Sequence, residues 1–268
     1  MELLHIAQNP LKIYGLDRDS DALGIASERL AEYRNITLEQ GDFRDIDIFA
    51  QRWGVEKFDG ILADFGQSTY QLDDPRRGFS HKYDSELDMR YDTSTGIRAK
   101  DIINEAPMHE LVSIIGEIGE ERNAGKIARM IIRKRPLKST SDLAEIVRRT
   151  CSAKYLEKSL ARVFMAFRVV VNRELEAIEI LLEKSLDILG PGGRMVFLSY
   201  DSHQDRRVKQ YFRSQIETCT CPKGLPICVC GNVPRIRMIT KRAIQPSEDQ
   251  IAENPRCRSA KLRAAEKL

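Results

Sequence analysis

The segment Phe58-Asp59-Gly60-Ile61-Leu62-Ala63-Asp64 decides the fold. A short apolar run that ends abruptly on an acid reads as a buried strand with a carboxylate at its carboxyl end. The same pattern appears upstream, where Leu11–Leu16 (LKIYGL) runs into Asp17. A helix is predicted after it, with Ser20 and Asp21 as N-cap candidates and Leu23, Ala26 and Leu30 on one face. The strand-like ITLEQ (36–40) and the turn-like Gly41-Asp42-Phe43 follow. Downstream, Met195–Ser199 is another buried strand, opening into Asp201-Ser202-His203. Strands alternating with helices predict a parallel α/β sheet. In such sheets ligands bind outside the carboxyl ends of the strands. Three of those ends here carry an acid or a polar cluster: Asp17, Asp64 and residues 199–202.

Between Asp64 and Tyr91 the chain reads as loop, and a stretch of that length inside a compact domain is usually functional. Residues 97–158 read as all-helical, with Ser139-Thr140-Ser141-Asp142 as a capping signal. One long helix is predicted over Ser159–Leu189, from apolar residues at helical spacing, and Gly190-Pro191-Gly192-Gly193 ends it. Arg235–Thr240 alternates and reads as a late strand, and the stretch after Gln245 reads as a polar, basic tail. The domain division expected is 1–96 with 159–268 for the sheet, and 97–158 for an inserted helical domain.

The chain has 268 residues, 42% hydrophobic and 31% charged, enough to bury a core. Its apolar runs fall far short of the ~18 residues a membrane span needs. No secretory signal pattern opens it, and six cysteines in a chain this long read as cytoplasmic thiols rather than a disulfide scaffold. The net charge of +3 hides its distribution. Residues 122–149 hold nine Lys/Arg against two Asp/Glu, and residues 233–268 hold nine against four. Two basic concentrations in an otherwise acidic chain point to a polyanionic partner, although a charge run is also the ordinary composition of a solvated face.

The blocks LDRDSDAL (16–23), DGILADFGQSTYQLDDPRRGFS (59–80), LDMRYD (87–92), GEERNAGKIARMI (119–131), FRVVVNRELE (167–176), LGPGGRMVFLSYDS (189–202), DRRVKQYF (205–212) and ENPRCRSAKLRAAEKL (253–268) follow one another in order. Together they resemble the RsmH (MraW) family, which methylates the N4 amine of a cytosine in 16S ribosomal RNA. The resemblance runs from about Lys12 to Leu268. It implies a Rossmann-like class I methyltransferase sheet with an inserted helical domain, S-adenosylmethionine as cofactor, and 16S ribosomal RNA in the small ribosomal subunit as partner. It leaves room for a homodimer.

The resemblance also distributes roles. Asp17 falls where the family binds the cofactor's ribose, and Phe43 where an aromatic lies against adenine. Asp64 and Gln71 match the remaining cofactor positions. Asp64 and Ser68 lie on the loop from which an acceptor would take the hydrogens of the target amine, so they are the catalytic candidates. Tyr70 stands where the family has proline, either stacking on an extruded base or packing the loop. Arg168 and Asn172, one helical turn apart, match a block that reaches RNA or braces the catalytic loop. Asp201 and Ser202 form the RNA-side rim. Arg256, Arg258, Lys261 and Arg263 are further phosphate contacts.

Three departures accompany the resemblance. Family members begin with a strand and a glycine-rich loop that approaches the methionine part of the cofactor; here only sixteen residues precede Asp17, with no glycine before Gly15. The first strand belongs at the switch point, so its loss predicts two unpaired inner strand edges. A reading frame extending upstream and a degenerate, non-catalytic RNA-binding paralogue both fit. The family's SFHSLEDR appears as Ser199-Tyr200-Asp201-Ser202-His203-Gln204-Asp205-Arg206, with an acceptor at 201 in place of a histidine. Finally, Cys219, Cys221, Cys228 and Cys230 form C-x-C-x6-C-x-C. Four thiolates could hold a structural zinc, but that spacing is not the C-x2-C of ordinary zinc ribbons, and a compact cysteine-rich loop near the RNA face is the plainer reading, so no metal is assigned.

Overall fold

The structure is a computed structural model that describes residues 11–216, 230 and 233–268. Along the chain come β1 (Ile13–Asp17), α1 (Ser20–Arg29), β2 (Ile36–Gln40), α2 (Ile46–Arg52), β3 (Phe58–Asp64) and α3 (Thr69–Asp73). A helical stretch follows: α4 (Ala99–Glu105), α5 (Met108–Ser113), α6 (Ala124–Lys134), α7 (Thr140–Thr150) and α8 (Leu156–Val171). Then come α9 (Glu174–Ile188), β4 (Leu189–Ser199), α10 (Ser202–Ile216), β5 (Ile236–Met238), α11 (Glu248–Glu253) and β6 (Lys261–Lys267). This is a Rossmann-like α/β architecture with parallel strand pairs at β1–β2 and β3–β4.

The chain divides into two units. The first comprises the described part of Met1–Phe43 with Gln67–Arg173. Here β1 and β2 run parallel, in register from Ile13↔Ile36 to Asp17↔Gln40, joined through α1. The N-cap of α1 is Asp19, whose carboxylate accepts from the Asp21 backbone N–H at 3.0 Å; it is neither Ser20 nor Asp21. The apolar core of this unit is built mainly by helices, with Ile103, Leu111, Ile127, Leu143 and Phe167, joined by Leu87 and Met89 from the loop before them, all fully buried. It begins at Phe79 and extends through α8, past both ends of the 97–158 segment. The capping box at Ser139 is present, with Asp142 reciprocating, and opens α7.

The second unit comprises Arg44–Gly66 and the described part of Glu174–Leu268. Its sheet has the order β3-β4-β6-β5, parallel between β3 and β4 and antiparallel thereafter. Phe65 stacks on Phe197 at 5.7 Å, and Phe197 meets Phe212 of α10 at 6.0 Å, forming an aromatic core beneath the strand ends. Arg263 of β6 is 7% exposed and pairs with Asp205 of α10 through two hydrogen bonds, at 2.7 and 3.2 Å.

Several sequence expectations change. The predicted helix over Ser159–Leu189 is two helices, α8 and α9, broken at Arg173 in the left-handed region (φ +51°). No glycine or proline marks that break; Asn172, 2% exposed, holds it through tertiary hydrogen bonds. The predicted basic tail is no tail, because its last stretch is β6, hydrogen-bonded on both sides between β4 and β5. The glycine-rich 190–193 segment lies inside β4, with Gly192 at φ +75° beside a register shift against β3. The loop after Asp64 contains α3. Among the described residues β1 hydrogen-bonds only β2, and β3 only β4. Cys219, Cys221 and Cys228 lie outside the described residues. Among the described residues no helix is long and apolar enough to cross a membrane.

Candidate active site

In the first unit the carboxyl ends of β1 and β2 lie side by side, tied by the Gly41 N–H donating to the Asp17 carbonyl at 2.9 Å. Asp17 is exposed, and one of its carboxylate oxygens accepts from the Asp19 N–H at 2.8 Å. The protein crowded around Asp17 raises its carboxyl above the ordinary range; burial is the largest cause, and the Asp19 N–H works against it. Phe43, half-buried, follows two residues after Gly41 on the neighbouring strand end. An acid at one parallel strand end and an aromatic just past the next are groups of the kind that suit a nucleoside.

Asp19 is the centre of a buried network that sequence reasoning missed. It is 1% exposed. Its Oδ2 accepts from Gln71 Nε2 at 2.6 Å and pairs with Arg77 at 2.8 Å. Arg77, 6% exposed, also donates to the carbonyls of Arg90 and Tyr91 at 3.1 and 2.9 Å. Burial pushes the Asp19 carboxyl up, but the hydrogen bonds from Arg77 and Gln71 and the Arg77 charge outweigh it and hold the group below its ordinary value. Two acids at alternate positions after a strand, Asp17 and Asp19, were the available signal: one faces out and the other turns in.

Ser68 and Gln71 form the capping box of α3. Ser68 Oγ accepts from the Gln71 N–H at 3.2 Å, and Gln71 Oε1 accepts from the Ser68 N–H at 2.9 Å. With Nε2 on Asp19, the Gln71 side chain is committed at both ends and buried, while Ser68 is exposed with its hydroxyl proton available. Tyr70, on the first turn of α3, is 43% exposed.

Arg168 and Asn172 do not point outward. Arg168 is 9% exposed. Asn172 Nδ2 donates to the carbonyls of Met89 and Arg168, at 2.7 and 2.9 Å, and its Oδ1 accepts from the Tyr91 N–H at 2.8 Å. Its carbonyl accepts from Arg18 at 3.0 Å. Asn172 therefore clamps residues 89–91, where Met89 sits fully buried at φ +63°, a conformation that needs such over-determination.

In the second unit Asp64 ends β3 and Tyr200 follows the neighbouring end of β4. Burial raises the Asp64 carboxyl, and the nearby Tyr200 hydroxyl opposes that rise. Asp201 Oδ1 accepts from the N–H groups of His203 and Gln204, both at 2.9 Å, so Asp201 opens α10, with Ser202 exposed as its first residue. Lys261 and Arg263 are taken up by Asp205, which removes Arg263 from the expected phosphate contacts. Among the described residues no group of three or more His, Cys, Asp or Glu side chains is placed to hold a metal.

Parallel strand pairs with an acid at each of two carboxyl ends and helices between them make a Rossmann-like α/β architecture, consistent with a methyltransferase. The chain belongs to the MraW methylase family, whose profile matches residues 1–268. Among its relatives is the ribosomal RNA small subunit methyltransferase H of Carboxydothermus hydrogenoformans, 45% identical over 263 residues covering 96% of this chain and 85% of that protein. The protein of the same name from Pelobacter propionicus is 44% identical over 96% of this chain and 84% of its own length. That of Clostridium botulinum strain Kyoto is 39% identical over 272 residues, covering 100% of this chain and 88% of the relative.

Proposed function

We propose that this chain transfers a methyl group from S-adenosylmethionine to the N4 amine of a cytosine in 16S ribosomal RNA of the small subunit. The observation that carries the reading is the strand-end pair in the first unit: exposed Asp17 at the end of β1 and Phe43 just past the end of the paired β2. Those two residues fit the cofactor's ribose and adenine by the chemistry of their donor set, and the family membership supports the same reaction.

The cofactor's sulfonium activates its own methyl group, so the protein's share is alignment and electrostatics. Asp17 accepts from the ribose hydroxyls. Gln71 holds its place through Ser68 and Asp19, and so fixes the start of the loop that carries Tyr70. The cytosine amine is a weak nucleophile because its lone pair is delocalised into the ring. Asp64, as an acceptor on an amine hydrogen, lets the nitrogen pyramidalise and takes its proton. Ser68, exposed at the N-terminus of α3, contributes a second polar contact on the substrate side. Tyr70 offers an exposed ring for an extruded base.

RNA is held by phosphate neutralisation. Arg122, Lys126, Arg129 and Arg133 are all exposed and recur at i, i+4, i+7 and i+11, forming one row along α6 and its approach. Arg256 and Arg258 add charge in the second unit, with Asp201 and Ser202 at the rim of its strand ends. Arg168 and Asn172 act from beneath, as braces of the 89–91 loop.

A second reading, RNA binding without methyl transfer, draws on the altered rim at residues 199–206, where Asp201 stands in place of the family's histidine. Calorimetry of the purified chain with S-adenosylmethionine, followed by transfer of labelled methyl to small ribosomal subunits and nucleoside mass spectrometry, separates the two. Micromolar binding and N4-methylcytidine are expected. A folded chain that binds subunits but neither cofactor nor label would establish the second reading.

A further inference from the structure

We infer that the junction of α7 and α8, with the loop at residues 81–83, is a platform for an unpaired stretch of RNA. The rings of Tyr83 and Tyr155 take bases, and Lys82, Arg148, Lys154 and Lys158 take the phosphates around them. The inference rests on RNA being the partner, as proposed above, and is independent of the methyl-transfer chemistry.

Local structure sets the two segments side by side within the first unit. α7 ends at Thr150, and Tyr155 stands at the N-cap of α8. Lys158, three residues on, falls on the same side of the first turn. Lys154 lies over the Tyr155 ring, 5.4 Å from its centre. The loop reaches this junction through His81, which packs edge-on against Phe164 of α8 with ring centres 5.8 Å apart. His81 Nε2 also stands 3.9 Å from the Glu157 carboxylate, two residues from Tyr155. Further along, Thr140 Oγ1 donates to the Tyr83 carbonyl at 2.6 Å and accepts from the Ser85 N–H at 3.0 Å, which pins the loop to the start of α7. The backbone of Tyr83 is thus fixed while its side chain stays in solvent, 40% exposed, and Tyr155 is 54% exposed.

A single exposed tyrosine is an ordinary surface residue. Here two of them accompany cations that the protein does not use for itself. Lys82, Arg148, Lys154 and Lys158 are all exposed and, among the described residues, have no carboxylate within 4 Å. Their neighbours differ: Arg149 is taken up by Glu145, and Glu86 by Lys100. Four cations therefore face two exposed acids, Asp84 and Glu157, and the surface is positive. A positive surface alone would suit any polyanion. Duplex RNA presents its backbone and hides the faces of its bases, so the two rings would have nothing to stack on. An unpaired strand offers phosphates and base faces together. An acidic protein would occupy the cations and leave the rings unused.

The test uses the full chain and fluorescence anisotropy. The probes are a labelled oligocytidylate of about twelve nucleotides and an RNA duplex of similar length, each titrated at several salt concentrations. Tyr155→Ala and Tyr83→Ala are each expected to weaken binding of the single strand by about tenfold, the worth of one stacked base. Tyr155→Phe keeps the ring and should stay within about twofold of the parent. The tyrosine substitutions should leave the salt dependence in place. Lys82→Ala and Arg148→Ala should each weaken binding and reduce the slope of log K against log salt by about 0.7. All four side chains are exposed, so melting by circular dichroism should match the parent. If both alanine variants bind the oligonucleotide as the parent does, or if the duplex binds as tightly as the single strand, the platform is overturned. If the parent binds small ribosomal subunits but not the oligonucleotide, the platform is overturned and the RNA partner stands. If it binds neither, the RNA partner fails and the platform fails with it.

Discussion

Replacing Asp19 by asparagine exchanges one oxygen for an amide nitrogen in a fully buried site. Oδ1 can go on accepting from the Asp21 N–H, since asparagine caps a helix as well as aspartate does. At the other position an NH2 group would face two donors, Gln71 Nε2 at 2.6 Å and Arg77 at 2.8 Å. Gln71 cannot turn its amide round without giving up the Ser68 N–H it accepts from. Arg77 keeps the carbonyls of Arg90 and Tyr91, so its charge is not wholly stranded. Breaking a buried pair costs about 3–5 kcal/mol, and those carbonyls place this case at the low end, about 3 kcal/mol. At roughly 2–4 °C per kcal/mol for a chain of this size, Asp19→Asn should melt roughly 6–12 °C below the parent. Asp21→Asn is the control: that side chain is 52% exposed and its contact with Arg77 is 3.3 Å, so it should cost less than about 1 kcal/mol.

The pH dependence follows from the same network. Asp19 sits below its ordinary value in the folded chain, so its contribution is complete above the ordinary carboxyl value of 3.8 and is lost as pH falls through the lower folded value. The gap between parent and Asp19→Asn should therefore be constant from neutral pH down to mildly acidic conditions and close only below that. Thermal unfolding by circular dichroism across pH reads both effects. A melting point within about 2 °C of the parent, or a gap that closes near neutral pH, would refute the network argument.

Gly78→Ala should be the most damaging small substitution in the loop after α3. At φ +73° its Cβ would stand 2.3 Å from the Glu86 carbonyl oxygen and 2.9 Å from the Asp88 nitrogen, both backbone atoms. A loss of about 3 kcal/mol or more is expected, read by urea denaturation. Arg263→Ala should cost about 3 kcal/mol by leaving the Asp205 carboxylate buried with only Lys261 at 3.4 Å. The double variant Asp205→Leu, Arg263→Met should lose less than that single one, and equal or greater loss would show that the pair does more than satisfy its own charges.

Strand identity was legible wherever an apolar run ended on a polar residue: β1, β2, β3 and the latter half of β4 all follow that rule. The box at Ser139 was legible because a capping box is local. The break between α8 and α9 was not, because nothing at Asn172-Arg173 is a helix breaker by itself; the turn is held by hydrogen bonds to residues 89 and 91. β6 was hidden for a different reason. Its sequence KLRAAEK carries four charges, and its three basic side chains are engaged, Lys261 and Arg263 by Asp205 and Lys267 by backbone carbonyls. Its alternation is therefore weak, and its neighbours rather than its composition make it a strand.

At the candidate site the outward acids, Asp17 and Asp64, were legible from their place at strand ends. The inward partners were not. Asp19 and Arg77 are 58 positions apart, and no spacing rule connects them. Gln71 and Asn172 read as ligand contacts from their motifs; burial and saturated hydrogen bonds show what else those amides do.

The position of β6 between β4 and β5 has a consequence for how the chain is made. The sheet of the second unit begins at residue 58 and cannot close until residues 261–267 exist. On a ribosome adding about 5–20 residues each second, the interval between the two is of order ten seconds or more. For the last part of it, after β4 is made, β4 lacks its neighbour on the β6 side, and the half-made sheet offers an apolar edge to whatever it meets. The helical core of the first unit, complete by Phe167, needs no such wait. Nascent chains halted at increasing lengths should thus resist protease over the first unit well before the second, and the second should become resistant only once the codons for 261–267 have been read and the strand has cleared the exit tunnel.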